Sequence, residues 1–479
     1  MSRPLLNGMW IGAVIMKKKS KKAAALLLVL SIVLSAGCTK KQVDNVVGTP
    51  KTDYIYDKEI AQTGKGSKVA FSEKGYYHLI NGILYFYDIN SAVEAPVCSK
   101  TDCLHNSSSC NAYVYDYEGY DPLDLTGISV NGAGNHIWYD EGKLYLIHRD
   151  ESGDYLMQYD SDFTNEVRLC TLAEKGTVVG LADGSASTGA CMYNGYLYYF
   201  SVKPVNAGTL EDFMMTAYCN RIKVAKDSKV EVLGSIDAPA DYAFLGGAGR
   251  VFAGKDCVYF VSGGNKRWFG KNNQVQYRIC SYDCINEKFS IQFNKNADEY
   301  KDFLGSGTGG APCIDGSNIC ADDENNIYIV TLENKVVKMT PGGSISIIYS
   351  SDAGEIGRIM WDGTYIYLSE CGKRGSIVRL DKEGNSKGRY DIVINEEFRE
   401  QMNIRGTMSV SFGIYGIDAQ NILIRTRQED IKGLEFERLT LPRDIQNGKN
   451  RYSTCAVGII SKNAFDDPSM PIQSIYIYE

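Results

Sequence analysis

Three cysteines and one histidine lie within thirteen positions of the chain, at Cys98, Cys103, His105 and Cys110. Three thiolates and one neutral imidazole form a closed tetrahedral ligand set for a structural zinc ion. The spacing C-x4-C-x-H-x4-C differs from that of a standard zinc finger, and a disulfide between two of the cysteines is the competing prediction. Because four protein ligands leave no open coordination position, we expect no catalytic metal here.

Ligand binding is the other chemistry that the residue types suggest. Trp268 lies in a loop beside Arg267, where an indole ring and a guanidinium can contact a ligand by stacking. We therefore predict Trp268 and Arg267 as ligand-binding residues. The acidic run from Asp322 to Glu324 falls on a hairpin turn, where we expect a solvated acidic surface. The sequence contains no serine-hydrolase elbow, zinc-protease helix or nucleotide phosphate loop, so it predicts no catalytic residue.

A hairpin repeat must position these residues. Its clearest copy is Met192 to Phe200, where Asn194-Gly195 is a typical two-residue turn before an aromatic strand. Six weaker copies turn at Asn81-Gly82, Glu141-Gly142, Gly254-Lys255, Asn325-Asn326, Asp362-Gly363 and Asp418 to Gln420. Most are followed by a third and a fourth short strand. Units of this kind at spacings of roughly 40 to 70 residues predict an all-β chain, a β-propeller of seven blades, with six or eight as alternatives.

Composition agrees with an all-β chain. The 33 tyrosines favour pleated, half-buried surfaces, and the 48 glycines supply turns. A convincing helical turn occurs at Asn395 to Met402. A pair of β-sandwiches is the competing architecture, but sandwiches have no internal period of this kind.

The N-terminus has the features of an export signal. Five lysines follow Met16, then an apolar run from Ala23 to Leu34, then small residues before Cys38. This pattern resembles the bacterial lipoprotein signal, in which the cysteine carries the lipid. The apolar run is short against the roughly 20 residues that span a membrane. The predicted organisation is a signal peptide at 1–37, a lipid-anchored polar tether at 38–67 and a propeller at 68–479.

Charge and cysteine content limit the partners. The first 37 residues hold six basic residues and no acidic one, which leaves a net charge of −13 (45 basic against 58 acidic residues). An acidic surface repels nucleic acid, which we therefore do not expect as a partner. We expect the lipid on Cys38 to be the membrane contact and the chain to be an extracytoplasmic monomer. With Cys38 lipidated, thirteen cysteines remain. We predict that most of them are buried fillers of the core.

The segment PVCSKTDCLHNSSSCNAY, from Pro96 to Tyr113, follows a tyrosine-rich hairpin. In this arrangement the chain resembles uncharacterised surface lipoproteins of Gram-positive bacteria, and more broadly the TolB-like and low-density-lipoprotein-receptor-like propellers. The resemblance implies surface anchoring and a propeller fold, and it implies no established activity.

These features predict a lipid-anchored extracytoplasmic propeller that acts as a binding or scaffold protein for a glycan, a peptide or a protein. The alternative is an extracellular hydrolase or lyase with carboxylates at the propeller axis, since ligand sites often form where loops from several units meet.

Overall fold

The structure is a computed structural model that describes most of the chain between residues 69 and 475. The described residues are 69–80, 83–105, 109–114, 137–150, 152–174, 178–179, 190–205, 214–237, 242–243, 250–266, 275–296, 319–331, 333–403, 410–426, 428–434, 437–440 and 452–475. They form seven small antiparallel sheets in a ring, which confirms the predicted seven-bladed β-propeller. The signal peptide at 1–37 and the tether at 38–67 lie outside the described residues and stay predictions.

Four or five strands build each blade. Blade one contains β1 (Val69–Phe71), β2 (Gly75–Ile80), β3 (Ile83–Asp88) and β4 (Val93–Pro96). Blade two contains β5 (Ile137–Asp140), β6 (Lys143–Asp150), β7 (Gly153–Asp160) and β8 (Val167–Glu174). Blade three contains β9 (Val178–Val179), β10 (Ala190–Tyr193), β11 (Tyr196–Val205), β12 (Met214–Lys223) and β13 (Glu231–Asp237).

The remaining blades follow in chain order. Blade four contains β14 (Tyr242–Ala243), β15 (Arg250–Gly254), β16 (Cys257–Lys266), β17 (Val275–Asp283) and β18 (Lys288–Asn296). Blade five contains β19 (Ile319–Ala321), β20 (Ile327–Val330), β21 (Lys335–Met339) and β22 (Ile345–Ser350). Blade six contains β23 (Gly354–Trp361), β24 (Ile366–Gly372), β25 (Gly375–Leu380) and β26 (Ser386–Ile392). Blade seven contains β27 (Phe412–Ile417), β28 (Asn421–Thr426), β29 (Glu437–Thr440), β30 (Tyr452–Ser461) and β31 (Gln473–Ser474).

The apolar core lies between the blades, in seven clusters that each join two neighbours. In β11, Leu197 and Tyr199 pack toward blade two, and Tyr198 and Phe200 pack toward blade four. All four side chains are at most 1% exposed. Successive side chains of a strand point to opposite faces of the sheet. Because both faces of a blade are covered, the strand is apolar or aromatic at every position from Tyr196 to Phe200.

The clearest predicted turn has the backbone that its sequence predicts. Asn194 and Gly195 have φ values of +49° and +75°, as the two-residue turn requires. The turn of blade four, by contrast, lies at Lys255-Asp256, one residue after the predicted Gly254-Lys255, because Gly254 pairs with Cys257 in the ladder.

Blade one is the exception to the predicted pattern. The predicted Asn81-Gly82 turn, which lies outside the described residues, falls between β2 and β3, after the short strand β1. The turns of the other six predicted hairpins fall between β5 and β6, β10 and β11, β15 and β16, β19 and β20, β23 and β24, and β27 and β28.

Blades one and seven close the ring. Tyr76 donates a hydrogen bond to Asp418 Oδ2 at 2.5 Å, and Asn421 Nδ2 donates to the Tyr76 hydroxyl at 3.0 Å. Gln473 Nε2, at the end of the chain, donates to the Tyr87 hydroxyl at 2.8 Å. An apolar cluster that includes Val69 and Ile475 lies beside these bonds. The last strand therefore helps to close the ring.

The predicted helical turn is confirmed as α1 (Glu396–Gln401), between blades six and seven. The Asn395 side chain accepts a hydrogen bond from the Phe398 backbone N–H at 3.1 Å, which is N-capping. Arg399 of this helix pairs with Asp430, with both side chains buried and 3.1 Å from Nε to Oδ2. Among the helices of the described segments, none is long and apolar enough to cross a membrane.

Acid should destabilise the propeller through His148. Its Nε2 lies 3.2 Å from the Tyr159 hydroxyl, and burial lowers the pKa of the imidazole. The unfolded chain therefore binds a proton that the folded chain does not. Stability is complete above about pH 6.5 and falls below it by up to about 1.4 kcal/mol per pH unit. In urea unfolding between pH 6.5 and 5, His148→Gln should reduce this dependence, and an unchanged slope would contradict the role of His148.

Candidate metal centre and binding cleft

An excursion of the chain from the edge of blade one carries the four sequence-predicted ligands. The backbone N–H of Val97, just after β4, donates to Leu84 O at 2.9 Å, and the chain then leaves the sheet. It returns at Ala112, whose carbonyl accepts from Leu84 N at 2.8 Å, and Tyr113 forms an isolated bridge with Ile83. The returning chain thus continues along the edge that β4 has left.

The four predicted ligand residues lie at the two ends of this excursion and between them. Cys98 stands where the chain leaves and Cys110 where it returns, with Cys103 and His105 between them. Cys110 is 4% exposed and lies in the core between blades one and two, and Cys98 and Cys103 pack against the same core. The fold therefore places the group against a rigid support.

The donor atoms come together as a metal site requires. The three sulfurs and a ring nitrogen of His105 all lie within 4.8 Å of one another. His105 Nδ1 is 3.4 Å from Cys110 Sγ. In a zinc tetrahedron, bonds of about 2.3 Å to sulfur and about 2.0 Å to nitrogen give edges of about 3.5–3.8 Å. The group can bind a metal ion after only small shifts of its side chains.

Electrostatics around the sulfurs also suit a cation. Burial opposes ionisation of Cys98, yet backbone N–H bonds from Lys100 and Asn111 outweigh it and lower the pKa of the thiol. Burial raises the pKa of Cys110 to about 12, and its two cysteine neighbours add to the rise. Several thiolates so close together repel one another, and a dication removes that repulsion.

Eight other cysteines have described side chains, and five of these are buried. The buried ones outside the ligand group are Cys170, Cys191, Cys219, Cys280 and Cys320. Cys257, Cys284 and Cys371 are partly exposed. Burial raises the pKa of Cys170 to about 11, so this thiol is a poor nucleophile.

A second feature is a cleft between blades four and five, with a volume of about 470 Å3. On blade four its wall carries Ser281, Ser290 and Gln292; on blade five it carries Ile327 and Met339. Gln292 Nε2 donates to the hydroxyls of Ser281 at 2.7 Å and Ser290 at 2.9 Å. The cleft is thus lined by a hydrogen-bonding wall on one side and an apolar wall on the other. Sequence inspection missed it because the three polar residues form no motif.

The other sequence-predicted sites have different outcomes. Trp268, Arg267 and Cys38 lie outside the described residues, so their roles stay predictions. The expectation of a solvated acidic run is wrong for Asp322, which is fully buried and accepts hydrogen bonds from Asn326 and from the Tyr328 hydroxyl. The cause is the tight turn of blade five, in which this carboxylate binds the turn's own N–H groups.

The fold and the four donors define the class of protein: a seven-bladed β-propeller with a Cys-Cys-His-Cys group, able to bind a metal ion, in the excursion after β4. No protein-family model matches the chain, and no curated protein matches it.

Three of the similar structures illustrate the range. A prolyl oligopeptidase B from Galerina marginata matches with a TM-score of 0.41 and 8% identity over 96% of this chain and 55% of its own. An oligogalacturonate lyase from Vibrio parahaemolyticus has a TM-score of 0.37 and 10% identity over 70% and 74%. BamB from Moraxella catarrhalis has a TM-score of 0.30 and 10% identity over 68% and 84%. This chain spans little more than half of the prolyl oligopeptidase. The fold assignment rests on the seven sheets.

Proposed function

We propose that the chain is a lipid-anchored extracytoplasmic binding protein, which uses its propeller to hold a ligand outside the cell. The observation that carries this proposal is the cleft between blades four and five, a concave site with convergent hydrogen-bonding side chains. The proposed ligand is a glycan, a peptide or a protein.

Two of the buried carboxylates in the described blades, Glu370 and Asp430, have structural partners, which supports binding over catalysis. Glu370 accepts from the Tyr349 hydroxyl at 2.7 Å and from Ser376 at 3.2 Å, and it pairs with Arg389. Asp430 is paired with Arg399. These acids hold strands and blades together. The predicted alternative, a hydrolase or lyase with carboxylates at the axis, stays a prediction.

Incubation with defined ligands separates the two functions. The full chain in detergent is applied to an array of oligosaccharides and peptides, and each retained ligand is then weighed by mass spectrometry. A binding protein should return its ligand unchanged in mass. Recovery of cleaved or eliminated products would contradict the proposal and support the enzyme.

We also propose that the Cys-Cys-His-Cys group holds a structural zinc ion. Three sulfurs and one imidazole nitrogen match the closed site that zinc prefers. The site joins the two ends of the excursion, so the ion would stabilise the fold of blade one and leave no position for a substrate. A disulfide within the group is the competing chemistry in an exported protein.

Loss of the anchor is predicted for Cys38→Ala. We expect the wild type to incorporate a palmitate analogue and to sediment with membranes, and the variant to do neither, because the acyl chains need the Cys38 sulfur. In-gel fluorescence and fractionation measure both. Cys371→Ser is the control and should label normally. Equal labelling of the wild type and Cys38→Ala would defeat the assignment.

A further inference from the structure

At the cleft, blade four differs in one side chain from blades three, five and six. In every blade, one residue of β3, β7, β12, β17, β21, β25 or β30 lies opposite a residue of the neighbouring strand that packs toward the next blade. We name its place the bracing position. In blade three Arg221 lies opposite Tyr198, and in blade four Ser281 lies opposite Tyr259. From blade one to blade seven the residues are Phe86, Gln158, Arg221, Ser281, Lys338, Arg379 and Ile459. Ser281 is the smallest.

Arg221 shows what a bracing residue does between blades three and four. Its guanidinium lies 4.9 Å from the ring centroid of Tyr196 and 5.1 Å from that of Tyr282, which belongs to blade four. It also pairs with Glu231 at 2.7 Å and with Glu287 of blade four at 2.9 Å. The side chain therefore fills the outer part of the interface.

Blade six repeats the device. The Arg379 guanidinium lies 5.1 Å from the centroids of Tyr365 and of Phe465, which follows β30 in blade seven. Its Nη2 is 2.9 Å from Asp466 Oδ1. In blade five, Lys338 Nζ donates to the Lys382 carbonyl of blade six at 3.1 Å. Long side chains thus bridge these interfaces.

Ser281 cannot bridge. Its hydroxyl is 3.0 Å from that of Ser290 and accepts from Gln292 at 2.7 Å, and both partners belong to its own blade. The interface with blade five therefore keeps a gap where Arg221 would stand.

The groups that contact the Arg221 guanidinium at the interface of blades three and four have no counterparts at the interface of blades four and five. Cys257 precedes Tyr259 by two residues, as Tyr196 precedes Tyr198. Ser290 lies opposite Ser281, as Glu231 lies opposite Arg221. Tyr282 of blade four directly follows the bracing residue Ser281, and its counterpart in blade five, directly after the bracing residue Lys338, is Met339. The cleft therefore lacks counterparts of the two tyrosine rings and of the Glu231 carboxylate that surround Arg221. Without them, the gap does not suit another guanidinium.

The remaining lining is suited to an uncharged ligand. Hydroxyl and amide groups dominate its polar surface, and at its rim two lysines and two aspartates cancel in charge. The carboxylate of Asp283 is already occupied by the N–H of Ile285 and by the N–H and Nδ2 of Asn286, at 2.8–2.9 Å. Because the two lysines and two aspartates give the lining no net charge, a charged ligand would meet groups of both signs and gain little net attraction.

We propose that the cleft between blades four and five binds a neutral oligosaccharide. Hydroxyls and amides such as those of Ser290 and Gln292 both donate and accept, as sugar hydroxyls require, while Ile327 and Met339 meet the apolar faces of a sugar ring. The volume of about 470 Å3 lies within the usual range for small-molecule sites. This proposal rests on the proposed binding function and names its ligand class.

Filling the gap tests the proposal. Ser281→Arg gives blade four the side chain that blades three and six carry at the bracing position. On an array of neutral oligosaccharides, uronate oligosaccharides and peptides, the full chain in detergent should retain neutral oligosaccharides. Ser281→Arg should weaken that binding at least about tenfold, because the side chain occupies the site. Gln158→Arg makes the same change at the bracing position of blade two and should bind as the wild type does.

A milder variant guards against misfolding. Gln292→Leu alters an exposed side chain and removes the amide that donates to both serines, so it should weaken binding without lowering the unfolding midpoint. Full binding by Ser281→Arg, or equal losses in Ser281→Arg and Gln158→Arg, would overturn the site. Retention of peptides or uronates alone would overturn the ligand class and leave the binding function standing. If nothing is retained, both proposals fail.

Discussion

Reduced full-length protein should contain about one zinc ion per chain, and Cys103→Ser should contain about none. Cys103 supplies one of three sulfurs, and the backbone N–H of His105 lies 3.4 Å from it. Removal of this ligand leaves three donors, too few to retain the ion, so the ends of the excursion at Cys98 and Cys110 are no longer joined through it. Elemental analysis measures the stoichiometry. Trypsin cleavage after Lys100, which lies within the excursion, should become faster in the variant and in chelator-treated wild type.

The matched control is Cys284→Ser, which changes a partly exposed cysteine far along the chain. It should keep its zinc and its resistance to trypsin. A chain without metal, with Cys103 and Cys110 joined by a disulfide in mass spectrometry, would contradict the zinc proposal and establish the competing chemistry.

Asp430→Ala should lower the free energy of unfolding by about 3–5 kcal/mol, because it leaves a buried guanidinium without its partner. The side chains of Arg399 and Asp430 are 9% and 5% exposed, and they join α1 to the segment before β29. The Asp430 carbonyl also accepts from Asn395 N, which fixes the start of the helix. Urea unfolding followed by fluorescence measures the loss.

Asp466→Ala is the comparison for this variant. It removes a carboxylate that also pairs with an arginine, Arg379, but its side chain is 74% exposed. Exposed pairs contribute about 0–1 kcal/mol, so the two variants should differ by several-fold. Equal effects would mean that burial of the Arg399 pair contributes nothing.

The tyrosine-rich hairpin of blade three shows why the fold could be predicted. Residues Tyr196 to Phe200 face two neighbouring blades in alternation, so every position must be apolar or aromatic. That requirement is local to one strand and recurs in each blade, and the repeat is therefore visible in the sequence. The first strand of blade one is not recognisable in the sequence, because β1 spans three residues and the turn after it has no typical two-residue turn sequence.

The ligand group was also visible from the sequence, because its four residues lie close together along the chain. The cleft was not. Ser281 becomes informative only beside Tyr259 and Ser290 in the register of blade four, and only in comparison with Arg221 and Arg379. A serine in a strand does not by itself predict a cleft. It does so only when the same position in other blades is known to hold a long side chain.

The sequence by itself predicted the repeat, a ring of seven blades with six or eight as alternatives, and the four candidate metal donors, since each depends on residues near one another in the chain. The tertiary structure decided that Cys98 and Cys110 stand where the chain leaves and rejoins blade one, that Asp322 is buried, and that blades four and five enclose a cleft. These depend on cross-strand register and on packing between blades, where residues tens of positions apart meet. Distances of that kind are set by the closed ring, and a linear pattern does not record them.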